Sequence, residues 1–152
     1  MPGKVRVELK RTIEMKIRPY VLVDEKAVID LWRKCDLIRP QNDPGLDIER
    51  KMRVNPELFL VGLIEGKVVA TVMGGYEGHR GWINYLGVDP ACQRHGLGGQ
   101  MMLAIEEQLR RKGSPKINLQ VRNDNIGVVK FYQSLGYAVD EVVSMGKRLM
   151  KD

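Results

Sequence analysis

The stretch from Trp82 to Arg111 constrains the fold more than any other part of this chain. Trp82–Val88 has the apolar content of a strand. Gly98–Arg111 carries Met101, Ile105 and Leu109 spaced by four, the stripe of an amphipathic helix. Between them runs Asp89-Pro90-Ala91-Cys92-Gln93-Arg94-His95-Gly96-Leu97, a turn that carries base and opens onto glycine. A strand entering a helix this way presents backbone N–H groups with no acceptor inside the helix, where the macrodipole also favours negative charge. Gly96, Gly98 and Gly99 let the backbone approach a bulky anion without a Cβ in the way. The expected guest is a pyrophosphate. A dinucleotide fingerprint is excluded because Met101 stands where its third glycine belongs, and no Gly-Lys-Ser/Thr run exists for a P-loop.

The rest of the chain sets the frame around that turn. Its 152 residues suit one domain with one core, and 43% hydrophobic content argues against disorder. No apolar run approaches the ~20 residues of a membrane helix, and the N-terminus has no secretory h-region, so no membrane partner is expected. Cys35 and Cys92 are too few for a disulfide framework, which places the chain in a reducing cytoplasm. The net charge of +6 is spread along the chain and interleaved with acids, as in Glu106-Glu107-Gln108-Leu109-Arg110-Arg111-Lys112. That is a solvated face in part suited to a polyanion, not the concentrated base of a nucleic-acid-binding helix. The two histidines and two cysteines have no metal-ligand spacing, so no metal is expected.

Periodicity predicts a strand near Glu14–Arg18 and a helix from an Asp24 cap to about Leu37. A short helix follows from Asp47 to Met52. Leu58–Leu63 and Lys67–Met73 read as strands joined by a Glu65-Gly66 turn, with a connection over Gly74–Gly81 before Trp82. Downstream come a period-two strand at Ile117–Arg122 and a helix capped by Asn125 and stopped by Gly136. Two last strands are expected at Tyr137–Val143 and Met145–Met150. The order is that of an α/β domain with a mixed sheet.

Two motifs in this order resemble one family. Gln93-x-x-Gly96-x-Gly98, directly after Leu86-x-Val88-x-Pro90, resembles the acetyl-CoA motif of the GCN5-related N-acetyltransferase (GNAT) superfamily. The strand at Ile117–Arg122, then Asn125 and Phe131-Tyr132-x-x-Leu135-Gly136-Tyr137, resembles that superfamily's second conserved region. Leu31–Pro44, Val72–Gly81 and Ser144–Leu149 extend the likeness to the YpeA-type bacterial branch, from Met15 to the C-terminus. The domain is therefore expected at 15–152, with residues 1–14 as an N-terminal extension. The resemblance implies a single GNAT-like domain, with a mixed, mostly antiparallel sheet flanked by helices. The sheet is expected to splay at Gly87, between the two parallel strands that hold acetyl-CoA. The implied activity is acetyl transfer from acetyl-CoA to a primary amine of a small molecule, directly within a ternary complex. The alternatives are a protein N-terminal or lysine acetyltransferase and a silent acyl-CoA-binding regulatory module. A homodimer through the C-terminal strands is left open.

The same resemblance assigns site residues. Gln93, Arg94, His95, Gly96, Leu97, Gly98 and Gly99 would hold the pyrophosphate, and Leu86, Gly87 and Val88 the pantetheine. The N–H of Leu86 or a neighbour would face the thioester oxygen; one such oxyanion donor is typically worth ~3 kcal/mol. Tyr132 occupies the position of the family tyrosine that hydrogen-bonds the departing sulfur. Asn125 would touch pantetheine or only cap its helix. Many relatives that acetylate protein N-termini carry a glutamate where this chain has Gln120, which cannot act as a base. Glu77 and His79 are the alternatives, with Glu77 preferred. Arg39, Asn42 and Asp43, on a proline-bracketed loop, are the acceptor-binding candidates, with ordinary turn chemistry as the equal reading. Cys92 has no His–Asp partner set that would make it an acyl-carrying nucleophile.

Overall fold

The computed structural model describes residues 14–151. The N-terminal extension up to residue 13 lies outside the described residues. Five strands form one sheet in the order β1-β2-β3-β4-β5: Lys16–Pro19, Phe59–Ile64, Lys67–Tyr76, Gly81–Val88 and Ile117–Leu119. The first four are antiparallel, and β5 runs parallel to β4. The sheet is thus mixed and mostly antiparallel, as the sequence implied.

Alternation along the strands builds two cores, because successive side chains point to opposite faces. Phe59, Val61 and Met73 pack with Val28, Trp32 and Ile48 under α1 (Glu25–Lys34) and α2 (Pro44–Lys51). Leu58, Leu60, Ala70 and Val72 face the other way. They meet Met101, Met102, Ile105 and Leu109 of α3 (Leu97–Arg111), with Tyr132 of α4 (Ile126–Ser134) in the same cluster. Glu65 and Gly66, both at positive φ, form the expected two-residue turn between β2 and β3.

Three expectations are corrected. Asp24 stands at the N-cap position of α1, but its side chain makes no capping bond; it accepts the Val21 N–H and the Arg18 guanidinium (2.7 Å), and the Arg18 contact holds its carboxyl below the usual range. The helix α2 begins at Pro44 instead of Asp47, because Asp43 accepts the Leu46 N–H and Pro44 fits the first turn. β3 runs on to Tyr76, so Gly74 and Gly75 belong to the strand. Ile105 Cδ1 would stand 2.7 Å from a Cβ at Gly74, so glycine here admits α3.

The C-terminal expectation also fails. No strand forms over Tyr137–Val143 or Met145–Met150, and β5 stops at Leu119 without reaching Arg122. Alternating apolar residues are only a strand in waiting until an edge accepts their backbone. Here Ala138 onward makes no backbone hydrogen bond among the described residues.

Candidate active site

The site begins with a defect in the β3–β4 ladder. Ala70 pairs with Val88 and Thr71 with Gly87, but Met73 pairs with Asn84, so Tyr85 and Leu86 together oppose Val72. That is a β-bulge, and Tyr85 sits in it at φ +51°. A non-glycine residue in this region is held by its surroundings. The Tyr85 ring stacks on Trp32 at 3.9 Å, and its carbonyl accepts Thr71 Oγ1 (2.9 Å), which in turn accepts Trp32 Nε1 (2.9 Å). Tyr85 packs on the α1–α2 side, whereas Leu86 and Val88 pack on the α3 side. The bulge thus gives both faces of the sheet a share of one point on β4.

β4 also parts from β5 there. Their parallel ladder pairs Gly81 with Ile117, Trp82 with Asn118 and Ile83 with Leu119, and nothing beyond. The sheet therefore opens after Ile83, earlier than the Gly87 expected. Gly87 remains in register with Thr71 and has another reason to be glycine. A Cβ there would stand 3.0 Å from Leu37 Cδ1 and 3.3 Å from Cys35 Sγ, so the chain leaving α1 crosses directly over it.

The anion turn follows β4 at once. Asp89 caps a short 3-10 turn at Pro90–Cys92 by accepting the Ala91 N–H (3.0 Å). Arg94 and Gly96 both take positive φ (+69° and +74°), so the backbone turns tightly between β4 and α3. Gly96 is the residue before α3, and no side chain caps it. Gln93, Arg94, His95 and Gly96 are exposed, while Leu97 is buried and anchors the helix start. Gly98 makes room for α4: its Cβ would lie 3.1 Å from Phe131 Cζ. Gln93 reaches back to the Val88 carbonyl (3.3 Å), which also accepts the Cys35 thiol (3.2 Å).

α4 brings Tyr132 against this core. Tyr132 is 8% exposed and its ring meets Phe131 and Tyr137 edge-on. Burial pushes its phenol up to about 12. Asn125 caps α4 by accepting the Val128 N–H (3.3 Å), so its capping role is the one realised within the protein. Gln120, just past β5, gives its amide to Ser144 Oγ.

Glu77 is not brought to the other candidates. It accepts the Arg80 N–H (2.7 Å) in the exposed β3–β4 turn, and that contact holds its carboxyl below the ordinary range. His79 shares the turn. From Gly81 to Leu86 the strand advances by ~16 Å at ~3.3 Å per residue. Glu77 therefore lies at the far end of β4 from the bulge, out of reach of a group there. The acceptor-loop residues are near but internally engaged. Asp43 caps α2, Asn42 N–H donates to the Arg39 carbonyl (2.9 Å), and Arg39 faces Asp36 at 3.8 Å. The carboxylate that does reach the bulge is Asp47 of α2, which accepts the Tyr85 hydroxyl (2.5 Å) with Arg50 4.0 Å from its other oxygen. Sequence reading missed it because thirty-eight positions separate the pair.

Among the described residues no cluster of three metal-ligating side chains exists, and no helix is long and apolar enough to cross a membrane. The profile of the Acetyltransferase (GNAT) family matches residues 25–137, which span α1 to the end of α4.

This chain belongs to the GNAT acetyltransferase family.

Relatives agree along nearly the whole length. An acetyltransferase of Pectobacterium atrosepticum is 46% identical over 138 residues, covering 91% of this chain and 98% of that protein. One of Sodalis glossinidius is 48% identical over 139 residues, with the same coverage. Among solved structures, Ard1 from Thermoplasma volcanium superposes with a TM-score of 0.71 at 25% identity, covering 83% of this chain and 84% of Ard1. AAC(6')-Iy, solved with a CoA-S-monomethyl-acetylneamine bisubstrate analogue, gives 0.74 at 16% identity, covering 89% and 99%, a likeness of fold. The GNAT chain described here is thus an acyltransferase.

Proposed function

We propose that this enzyme moves an acetyl group from acetyl-CoA directly to a primary amine of a small molecule, within a ternary complex. The observation that carries the reading is the opening between β4 and β5 at the Tyr85–Leu86 bulge, flanked by the uncapped start of α3 and by Tyr132. Residues Gln93–Gly99 hold the pyrophosphate on backbone N–H groups, with Arg94 and His95 exposed beside it. The backbone of Leu86–Val88 takes the pantetheine, with Asn125 at the opposite wall. The Leu86 N–H receives the thioester oxygen as it gains charge.

The amine approaches from the α1–α2 side, past Arg39, Asn42 and Asp43. Asp47, fixed by the Tyr85 hydroxyl, holds the incoming ammonium and passes its proton to water. The neutral nitrogen attacks the carbonyl carbon; the new C–N bond forms as the C–S bond breaks, and the acylated nitrogen gives its second proton to water. The departing thiolate accepts a hydrogen bond from Tyr132, then a proton from solvent. Glu77 has no part in this scheme. The absence of a carboxylate at Gln120 favours small amines over protein N-termini as acceptors.

Thiol release from acetyl-CoA, measured against one pool of small amines and one of peptides with free N-termini and lysines, tests the reading. Turnover with small amines that drops at least tenfold in Asp47→Asn supports it. Turnover confined to peptides overturns the acceptor class, and acetyl-CoA binding without turnover in either pool leaves the regulatory-module reading in its place.

A further inference from the structure

The helix α2 ends beside Gly74, whose carbonyl accepts the Lys51 ammonium. Past that contact its face of the sheet opens. Met73 belongs to the core under α1 and α2, so Gly75, two positions further along β3, lies on the same face. Across the ladder Asn84 pairs with Met73 and Trp82 with Gly75, and on the far side Asn118 of β5 pairs with Trp82. A Cβ at Gly75 would meet nothing within 4 Å, and Trp82 is 39% exposed. Asn118 Oδ1 is buried and has no hydrogen-bond partner among the described residues. Acceptors buried in folded proteins are normally satisfied. Empty space, an indole and an amide oxygen lacking a donor thus lie side by side across three strands.

The glycine at 75 has no structural cause of its own. Gly74 admits Ile105 of α3, but Gly75 has no neighbour to admit, and its φ is not positive. A glycine inside a strand weakens it and often marks a place where a ligand comes close to the backbone.

We propose that Gly75, Trp82 and Asn118 form a second subsite of the acceptor groove, which takes a cationic group at the far end of the amine. This rests on the reading of Asp47 and Tyr85 as the end that receives the reacting nitrogen. Tyr85 and Trp82 share one strand and one face, ~10 Å apart at ~3.3 Å per residue, with the exposed Asn84 between them. The substrate class that reaches both ends is a linear diamine. The chemistry of the far end selects its charge. An indole presents the negative side of its quadrupole at the ring face and attracts an ammonium lying over it. An amide oxygen offers lone pairs alone, so it needs an N–H donor; the terminal torsion of an asparagine is broad enough to turn Oδ1 towards one. An apolar tail would leave that oxygen unpaired.

Calorimetry on the full chain saturated with CoA tests this by comparing hexamethylenediamine with heptylamine, which has the same number of heavy atoms but ends in a methyl group. Binding is read without turnover, so a failure of acetyl transfer in the amine pools is seen separately from a failure of the subsite. The diamine is expected to bind about tenfold tighter than the monoamine, the size of one desolvated cation–π contact. Trp82→Leu removes the ring face, and Gly75→Leu fills the space beside it with no backbone or side chain in the way. Each is expected to bring the diamine down to the affinity of the monoamine, with thermal melts as the check on folding. Equal or undetectable binding of the two amines by the unmodified chain overturns the proposal. So does a preference for the diamine that survives in whichever of the two variants melts as the unmodified chain does.

Discussion

Tyr132→Phe removes one oxygen and leaves the ring that packs between Phe131 and Tyr137. The side chain is 8% exposed, and desolvation pushes its phenol up to about 12. An ordinary thiol titrates near ~8.5, so complete transfer of the phenolic proton to a CoA thiolate is uphill by ~3.5 units, or ~5 kcal/mol at ~1.36 kcal/mol per unit. Tyr132 therefore works as a hydrogen-bond donor to the thiolate, and such a bond to a charged acceptor contributes ~1.5–3 kcal/mol. The substitution is expected to lower kcat by ~10–100-fold, with the KM for acetyl-CoA within a few-fold of its original value. Since the phenol stays protonated below about 12, loss of rate between pH 9 and 11 does not come from its ionisation. The same alkaline limb is expected in the variant. Steady-state kinetics across that range, with a thermal melt as control, measure all three quantities. An unchanged kcat, or a fall in melting temperature large enough to account for the lost rate, refutes the reasoning.

Other perturbations follow from the same geometry. Lys51 is 8% exposed, donates to the Gly74 carbonyl and is brought down by burial to about 8 from 10.5. The folded state thus sheds this proton before the unfolded chain does, so stability should climb as pH rises between about 8 and 10.5. The full charge cost, on the order of 3 kcal/mol, is present below that window. Lys51→Met loses one hydrogen bond but removes this cost; denaturant melts should show ~1–2 kcal/mol of added stability at pH 7 and a flatter profile above pH 8. Gly98→Val sets branched carbon against Phe131 and should cost ~1–3 kcal/mol, with weaker acetyl-CoA binding by calorimetry as α4 is displaced. Glu77→Gln, at the far turn, should leave kcat within twofold; a tenfold loss would place that turn in the chemistry after all.

Local signals made the frame of this protein readable. Glu65-Gly66 announced its turn, the four-residue spacing of Met101, Ile105 and Leu109 announced α3, and Gly96 marked the break before it. The start of α2 was misplaced at Asp47 although its signal is local, since Asp43-Pro44 pairs a capping side chain with a first-turn proline. The bulge was not: an aromatic residue at positive φ has no local signature, and Tyr85 is held there by Trp32 and Thr71, both distant in sequence. Asp47 was hidden for the same reason. Glu77 looked promising because residue type suggests chemistry, whereas the strand's length decides its distance from the site. The C-terminal strands failed because period-two patterning states which side chains want burial, without stating what will cover them.

Acetyl-CoA labelled in its acetyl group, mixed with enzyme in excess and quenched before and after a small amine is added, tests the central claim most directly. Direct transfer requires no label on the protein before the amine arrives. Afterwards, labelled amide should appear in one-to-one ratio with free CoA thiol. Label on Cys35 or Cys92 before amine addition, or thiol released without labelled amide, would contradict it.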